Sequence, residues 1–251
     1  MSASENNGKV AVVTGAAQGI GRATAQRLGS DGYRVAVVDF RPEPAEKVAA
    51  EFQELGMDAA AFTADVGDSA AVDDATKQIL ERFGGLDVLV NNAGTHVPGE
   101  VVDLSNEDFD RVLDTIVKGT FYFSRAVLPT MIAQRGGSIV NVSSVWAWAC
   151  APGAAPYCLA KAGVTAFTKS LAQEVAKYGI RVNAVAPYLV NTELHRASHS
   201  DEARKEMAAA HPMGRECEPE EIAASISFLV SNEASWVSGE SLTLSGGSLL
   251  R

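Results

Sequence analysis

The stretch YCLAK, residues 157–161, sets a phenol and an amine four positions apart at the start of a long apolar-periodic segment. On a helix, residues i and i+4 share a face, so Tyr157 and Lys161 become neighbours there. A free phenol, with a pKa of ~10, is a poor base near neutrality. An ammonium about 4–6 Å away favours phenolate and turns the phenol into a usable proton donor and acceptor. Alone, the pair is no more than many helix surfaces carry, so its meaning depends on the rest of the chain.

A second constellation is TGAAQGIG, Thr14 to Gly21, between a short β-branched run and a helical pattern. Glycines there allow a tight turn, let a pyrophosphate approach the backbone, and place it at a helix N-terminus where free N–H groups point. The spacing is TGxxxGxG and not the dinucleotide GxGxxG, but its place after the first strand gives it weight. The next strand run ends at Asp39, about 18 residues beyond the last glycine. A carboxylate there accepts hydrogen bonds from both hydroxyls of an adenosine ribose and repels a 2′-phosphate.

These residues need a scaffold, and the chain supplies an alternating one. Strands are expected at 9–14, 33–39, 58–65, 86–92, 137–143, 180–186 and 240–245, and helices at 19–29, 42–55, 69–83, 105–134, 157–178 and 218–231. The strand runs are continuously apolar, as when helices cover both faces of a parallel sheet. Strict β–α alternation predicts an α/β fold: a Rossmann-type doubly wound parallel sheet of about seven strands flanked by helices. No linker or repeat interrupts the chain, so one domain is expected over 1–251, with the polar stretch 188–217 as a mobile flap.

Composition excludes other classes. A formal net charge of −10, spread along the chain, argues against nucleic acid and anionic membranes as partners. No apolar run approaches the roughly 20 residues that span a bilayer, and the start MSASENNGK lacks the build of a secretory leader. Cys150, Cys158 and Cys217 form no CxxC pair. A reduced, cytoplasmic protein without a metal site is expected, with Cys158 read as packing beside Tyr157.

Taken together, TGAAQGIG, NNAG at 91–94, Ser144 and YCLAK resemble the classical short-chain dehydrogenase/reductase family, with the likeness running from about Lys9 to Gly247. The resemblance implies that Ser144, thirteen residues before the tyrosine, holds the substrate oxygen. It makes Tyr157 the catalytic acid/base and Lys161 its partner, which also reaches the nicotinamide ribose. It further assigns Gly15, Gln18, Gly19, Ile20 and Gly21 to the pyrophosphate, Asp39 to the ribose, and Asp65 and Val66 to adenine. Asn92, Ala93 and Gly94 border the cofactor, and Pro187, Val190 and Thr192 hold the carboxamide. Asn91, Asn141 and Asn183 are read as structural. Phosphorylated-cofactor members commonly carry a basic residue where this chain has Gln18 or Phe40, so NAD rather than NADP is expected, although Arg41 lies one position further on. A homotetramer built partly on the 105–134 and 157–178 helices is also implied.

Three positions depart from the family's pattern. Ile116 replaces an asparagine that helps hold a water in the proton path beyond the lysine, so re-protonation of Tyr157 is expected to follow another route or to slow. Tyr188 stands where a glycine is usual, and is expected near the nicotinamide and the substrate mouth. Ser245 replaces an acid and is expected to affect packing or subunit contacts. With Trp146 and Trp148 in the loop before Tyr157, and His96 after NNAG, the pocket is expected to be His96, Ser144, Trp146, Tyr157 and Tyr188, suited to an aromatic or alicyclic alcohol or ketone. The implied function is NAD-dependent interconversion of a secondary alcohol and a ketone. The alternatives are a 3-ketoacyl-thioester reductase, a cofactor-binding protein with reduced catalysis, and, against the surviving glycine loop and Asp39, a cofactor-free lyase.

Overall fold

The computed structural model describes Asn6 and residues 8–248; most of the polar N-terminal stretch read above lies outside the described residues. Seven parallel strands, β1 Val10–Thr14, β2 Arg34–Asp39, β3 Ala59–Thr63, β4 Val88–Asn91, β5 Gly137–Val142, β6 Ile180–Pro187 and β7 Ser241–Leu244, lie in the order β3-β2-β1-β4-β5-β6-β7. Helices α1 Gly19–Ser30, α2 Pro42–Glu54 and α9 Pro219–Val230 cover one face, and α3 Ser69–Phe83, α5 Gly119–Gln134 and α6 Ala155–Val175 the other. Alternate strand residues feed the two cores: Ala11, Val13, Val35 and Val37 meet Leu28, Phe52 and Ile226, whereas Val10, Val12, Ala36 and Val38 join Ile79, Phe123 and Leu171. That two-sided burial is why the strand runs are continuously apolar.

Chain order reverses between β1 and β4, and a doubly wound sheet opens a crevice beyond the carboxyl ends of its strands at such a point. Helix starts are set by local chemistry. The Asp68 carboxylate accepts from Ala70 N–H at 2.9 Å to open α3, and Glu218 and Glu221 form a reciprocal capping box on α9.

One expected element differs. The helix predicted over 105–134 is α4 Asn106–Leu113, a π-helical turn Asp114–Lys118 and then α5. One extra residue per turn there re-aims the side chains around Ile116, which apolar periodicity does not reveal. Over 188–217, α7 Glu193–Ser198 and α8 Asp201–Ala210 are opened by Thr192 and Ser200, whose hydroxyls accept from His195 and Ala203 N–H. A bridge pairs Val190 with Cys217, and Arg204 grips Glu216 through Nε at 2.9 Å. No helix among the described residues is long and apolar enough to cross a membrane.

Candidate active site

The glycine loop leaves β1 at Thr14, whose hydroxyl accepts from the N–H groups of Asn92 (3.0 Å) and Ala93 (3.1 Å). The Asn92 amide donates to the carbonyls of Thr14 (2.9 Å) and Gly15 (3.2 Å), so this side chain braces the loop from the β4 edge. Gly15 adopts φ +61°, the left-handed region, and a Cβ there would stand 3.0 Å from Ala93 Cα. A Cβ on Gly21 would be driven into the Gly15 carbonyl. Gln18 precedes α1 in extended conformation and caps none of its N–H groups with its side chain. A backbone cradle with no room for a Cβ at Gly21 and little at Gly15, set ahead of a helix N-terminus, fits a dinucleotide pyrophosphate. Ile20 packs against the core behind the cradle.

Asp39, buried at the end of β2, turns Oδ2 to Ala17 N–H (3.2 Å) and Oδ1 to Arg41, whose Nε lies 3.1 Å away. The carboxylate therefore faces the loop, while Arg41 is held against it and over the Phe40 ring. Asp65 lies beyond β3 and accepts from Gly67 N–H at 2.9 Å, with Val66 buried beside Gly119. Pro187 ends β6, its carbonyl accepting from the Ser144 hydroxyl at 3.5 Å. Thr192 meets the cradle from the flap: its Cγ2 would lie 3.4 Å from a Cβ on Gly19.

Ser144 follows β5, Tyr157 sits in the first turn of α6, and Lys161 one turn later. Lys161 is buried, its Nζ 5.5 Å from the Tyr157 ring centroid and 2.6 Å from the Val142 carbonyl to which it donates. Ser143 ties this turn down by donating to the Lys161 carbonyl at 3.0 Å. The expected tuning of the phenol by the amine is not what the protein alone displays. Loss of hydration pushes Tyr157 up to about 12, partly opposed by hydrogen bonding to Ser144, and pushes Lys161 down to about 8. In both cases a water-poor site penalises the charged form, although Lys161, at about 8, stays mostly protonated near pH 7.

Tyr157 is framed by His96, with ring centroids 5.3 Å apart, and by Trp146, 5.8 Å away at 90°. Trp148, by contrast, is substantially exposed. The Tyr188 ring stacks on His211, centroids 5.8 Å apart, and with Met213 and Leu244 lines a cavity. Just beyond β6, the Tyr188 N–H donates to the Leu244 carbonyl at 3.1 Å and carries the residue toward β7. Ser245 turns inward on its own loop, donating to the Ser248 carbonyl at 3.1 Å. Ile116 is buried with Val112, Ala160 and Val164 against Tyr157. A Cβ on Gly94 would sit 3.7 Å from Lys161 Nζ and 3.8 Å from Ile116 Cγ1, so both side chains border the Gly94 position.

A family model described as enoyl-(acyl carrier protein) reductase matches residues 15–248. The chain belongs to the short-chain dehydrogenase/reductase family. It is 40% identical to the 3-oxoacyl-[acyl-carrier-protein] reductase FabG of Staphylococcus aureus over 95% of this chain and 97% of that protein. Two solved structures superpose closely. A gluconate 5-dehydrogenase from Burkholderia cenocepacia, in complex with NADP and tartrate, has TM-score 0.92 at 32% identity, covering 96% of this chain and 95% of that one. A 3-ketoacyl-(acyl-carrier-protein) reductase from Brucella melitensis, complexed with NADH, has TM-score 0.90 at 36% identity, covering 96% and 98%. As a short-chain dehydrogenase/reductase the chain is an oxidoreductase of the carbinol/ketone class.

Within that family, the residues that sequence reasoning passed over are supporting ones. The Thr14 hydroxyl and the Val142 carbonyl hold the two halves of the site in place. Thr14 was visible in the motif, but its role appears only once β1 and β4 lie side by side. Asn91 and Asn141 pair at 2.9 Å, Asn141 reaches Thr168, and Asn183 binds the Val237 carbonyl, all within the interior as their structural reading expects.

Proposed function

We propose that this short-chain oxidoreductase interconverts a secondary alcohol and a ketone, aromatic or alicyclic in character, with NAD as cofactor. What carries the reading is the convergence of Ser144, Tyr157 and Lys161 at the carboxyl edge of the sheet, against an aromatic wall and a backbone cradle. Gly15, Gly19 and Gly21 would hold the pyrophosphate, Asp39 the ribose, and Pro187, Val190 and Thr192 the nicotinamide end. Bound there, NAD supplies the hydride acceptor or donor, and its oxidised ring adds a positive charge that favours phenolate.

The chain's own residues do the rest. Ser144 orients the substrate oxygen, and Tyr157 takes its proton on oxidation or returns it on reduction. Lys161, kept in place by Val142, stabilises the phenolate as it forms. Trp146 and His96 exclude water around the phenol.

NAD preference rests on the buried Asp39 and on Arg41 being engaged with it. A second reading, reduction of a 3-ketoacyl thioester, draws support from the S. aureus and B. melitensis relatives. A phosphopantetheine-bearing carrier presents phosphate, which the net charge of −10 does not favour. Assembly as a homotetramer is supported by exposed Phe109, Phe121 and Leu159 on α4, α5 and α6. Cofactor oxidation with acetoacetyl-coenzyme A and with cyclic and aryl ketones, in NADH and in NADPH, separates the readings. Faster turnover of the ring ketones with NADH supports the first; faster thioester reduction with NADPH replaces it with the second.

A further inference from the structure

Gly19 opens α1 at φ +53°, and the nearest atom that a Cβ there would meet is a flap carboxylate oxygen, Glu193 Oε2 at 3.3 Å, ahead of Thr192 Cγ2 at 3.4 Å. Two consecutive flap residues thus face one turn of the glycine loop, and their chemistry points opposite ways. Thr192 is neutral and caps α7 through its hydroxyl. Glu193 brings an anion to a helix start, where backbone N–H groups favour negative charge. The first turn of α1 has no acidic residue, so the flap supplies a charge that the helix itself lacks. Of the two carboxylate oxygens, Oε1 is held by Arg196 at 3.1 Å, and that guanidinium also donates to Asn191 Oδ1 at 2.6 Å. Oε2 is the one turned to Gly19.

We propose that Glu193 limits how tightly the site keeps its dinucleotide: its carboxylate repels the pyrophosphate and so hastens cofactor release. The inference rests on the dinucleotide reading above and deepens it. The pyrophosphate is placed at the start of α1 by the bare backbone of Gly15 and Gly21. Both of its phosphates carry negative charge, and like charges a few ångströms apart repel. The Glu193 side chain is half-exposed, so water moderates that repulsion and salt screens it. Arg196 offsets a further part from the other oxygen. Thr192, proposed to hold the nicotinamide end, keeps the same flap turn attracted to the ligand that Glu193 opposes. An oxidoreductase exchanges its dinucleotide in every turnover, and product release sets the rate of many enzymes. A carboxylate against the cradle favours exchange over affinity.

Binding of NADH and of NADPH to the full chain tests this, by fluorescence titration and stopped-flow displacement, in wild type, Glu193→Gln, Arg196→Met and the double variant. Glutamine keeps the shape of the side chain and removes its charge. Glu193→Gln is expected to bind the reduced dinucleotide about tenfold more tightly at low salt, chiefly through slower dissociation. The gain shrinks in about 1 M salt, where the Debye length is about 3 Å. Adenosine diphosphoribose, which keeps the pyrophosphate, gains likewise in competition with the dinucleotide, whereas adenosine does not. In the Arg196→Met background the same substitution still tightens binding. Unchanged or weaker binding by Glu193→Gln would overturn the proposal. So would a gain shared by adenosine or indifferent to salt, which makes Glu193 a packing contact only. A gain that vanishes without Arg196 would also overturn it, by assigning the effect to a released guanidinium. Wild type that binds neither dinucleotide would overturn the cofactor reading itself, and this inference with it.

Discussion

Lys161 lies one helical turn from Tyr157, its Nζ 5.5 Å from the ring centroid, yet its hydrogen bond goes to the Val142 carbonyl and not to the phenol. The amine is thus a fixed, desolvated charge site beside the phenol. Its position is set by β5 and held from below by Ser143.

Carrying that amine in a dry site has a signature in stability. Its pKa falls from 10.5 to about 8 on folding, so between those values the unfolded chain binds more protons and stability rises with pH. At full effect the cost below pH 8 is about 3 kcal/mol. Tyr157, raised from 10 to about 12, acts above that window, where stability is lost as pH climbs. Urea unfolding at about pH 7.5 and 9.5 is expected to show wild type gaining stability relative to Lys161→Met. Parallel curves for the two proteins would contradict the assignment.

Ile116 gives a prediction about proton supply. It is buried in the π-helical turn against Tyr157 and near Lys161, and it has no group to bind water. Ile116→Asn is expected to change the pH dependence of turnover while costing roughly 1–3 kcal/mol for the buried amide. Should activity and its pH profile both stay as they are, the idea of a disturbed relay is wrong.

Asp39 gives one about cofactor choice. Removing its carboxylate frees Arg41 from its 3.1 Å contact and takes away the repulsion of a 2′-phosphate. Asp39→Ser is expected to shift the NAD-to-NADP ratio of kcat/KM toward NADP by about tenfold, read as two KM titrations. An unchanged ratio would move cofactor discrimination elsewhere in the loop.

The cradle itself can be filled. A methyl at Gly21 collides with the Gly15 carbonyl, a backbone atom that has little room to yield. Gly21→Ala is expected to cost about 1–3 kcal/mol in stability and to abolish tight NAD binding. Tight binding by a fully folded variant would show that the loop is looser than its geometry.

How much of this was legible in the sequence follows from what each feature depends on. The sheet, the glycine loop and the Tyr157–Lys161 face depend on local spacing, and spacing is written in the chain. The π-helical turn around Ile116 depends on how α4 and α5 pack, and residue periodicity reads straight through it. Tyr188 was expected beside the substrate because of what it replaces; that its N–H meets the Leu244 carbonyl and its ring stacks on His211 depends on how distant segments come together. The flap helices left local signs, a short helical pattern with Thr192 and Ser200 each ahead of an acidic first turn. That the Glu193 carboxylate faces Gly19 is visible only when the flap lies against the glycine loop.

The central claim, that Tyr157 moves the proton while NAD exchanges hydride with a carbinol carbon, is tested most directly by one paired measurement. Turnover of cyclic and aryl secondary alcohols is followed at 340 nm with wild type and Tyr157→Phe, with NAD binding to both measured alongside. Wild-type turnover that falls by about 10²–10⁴ in the variant, with NAD binding retained, is the predicted result. Equal turnover in the two proteins would contradict it.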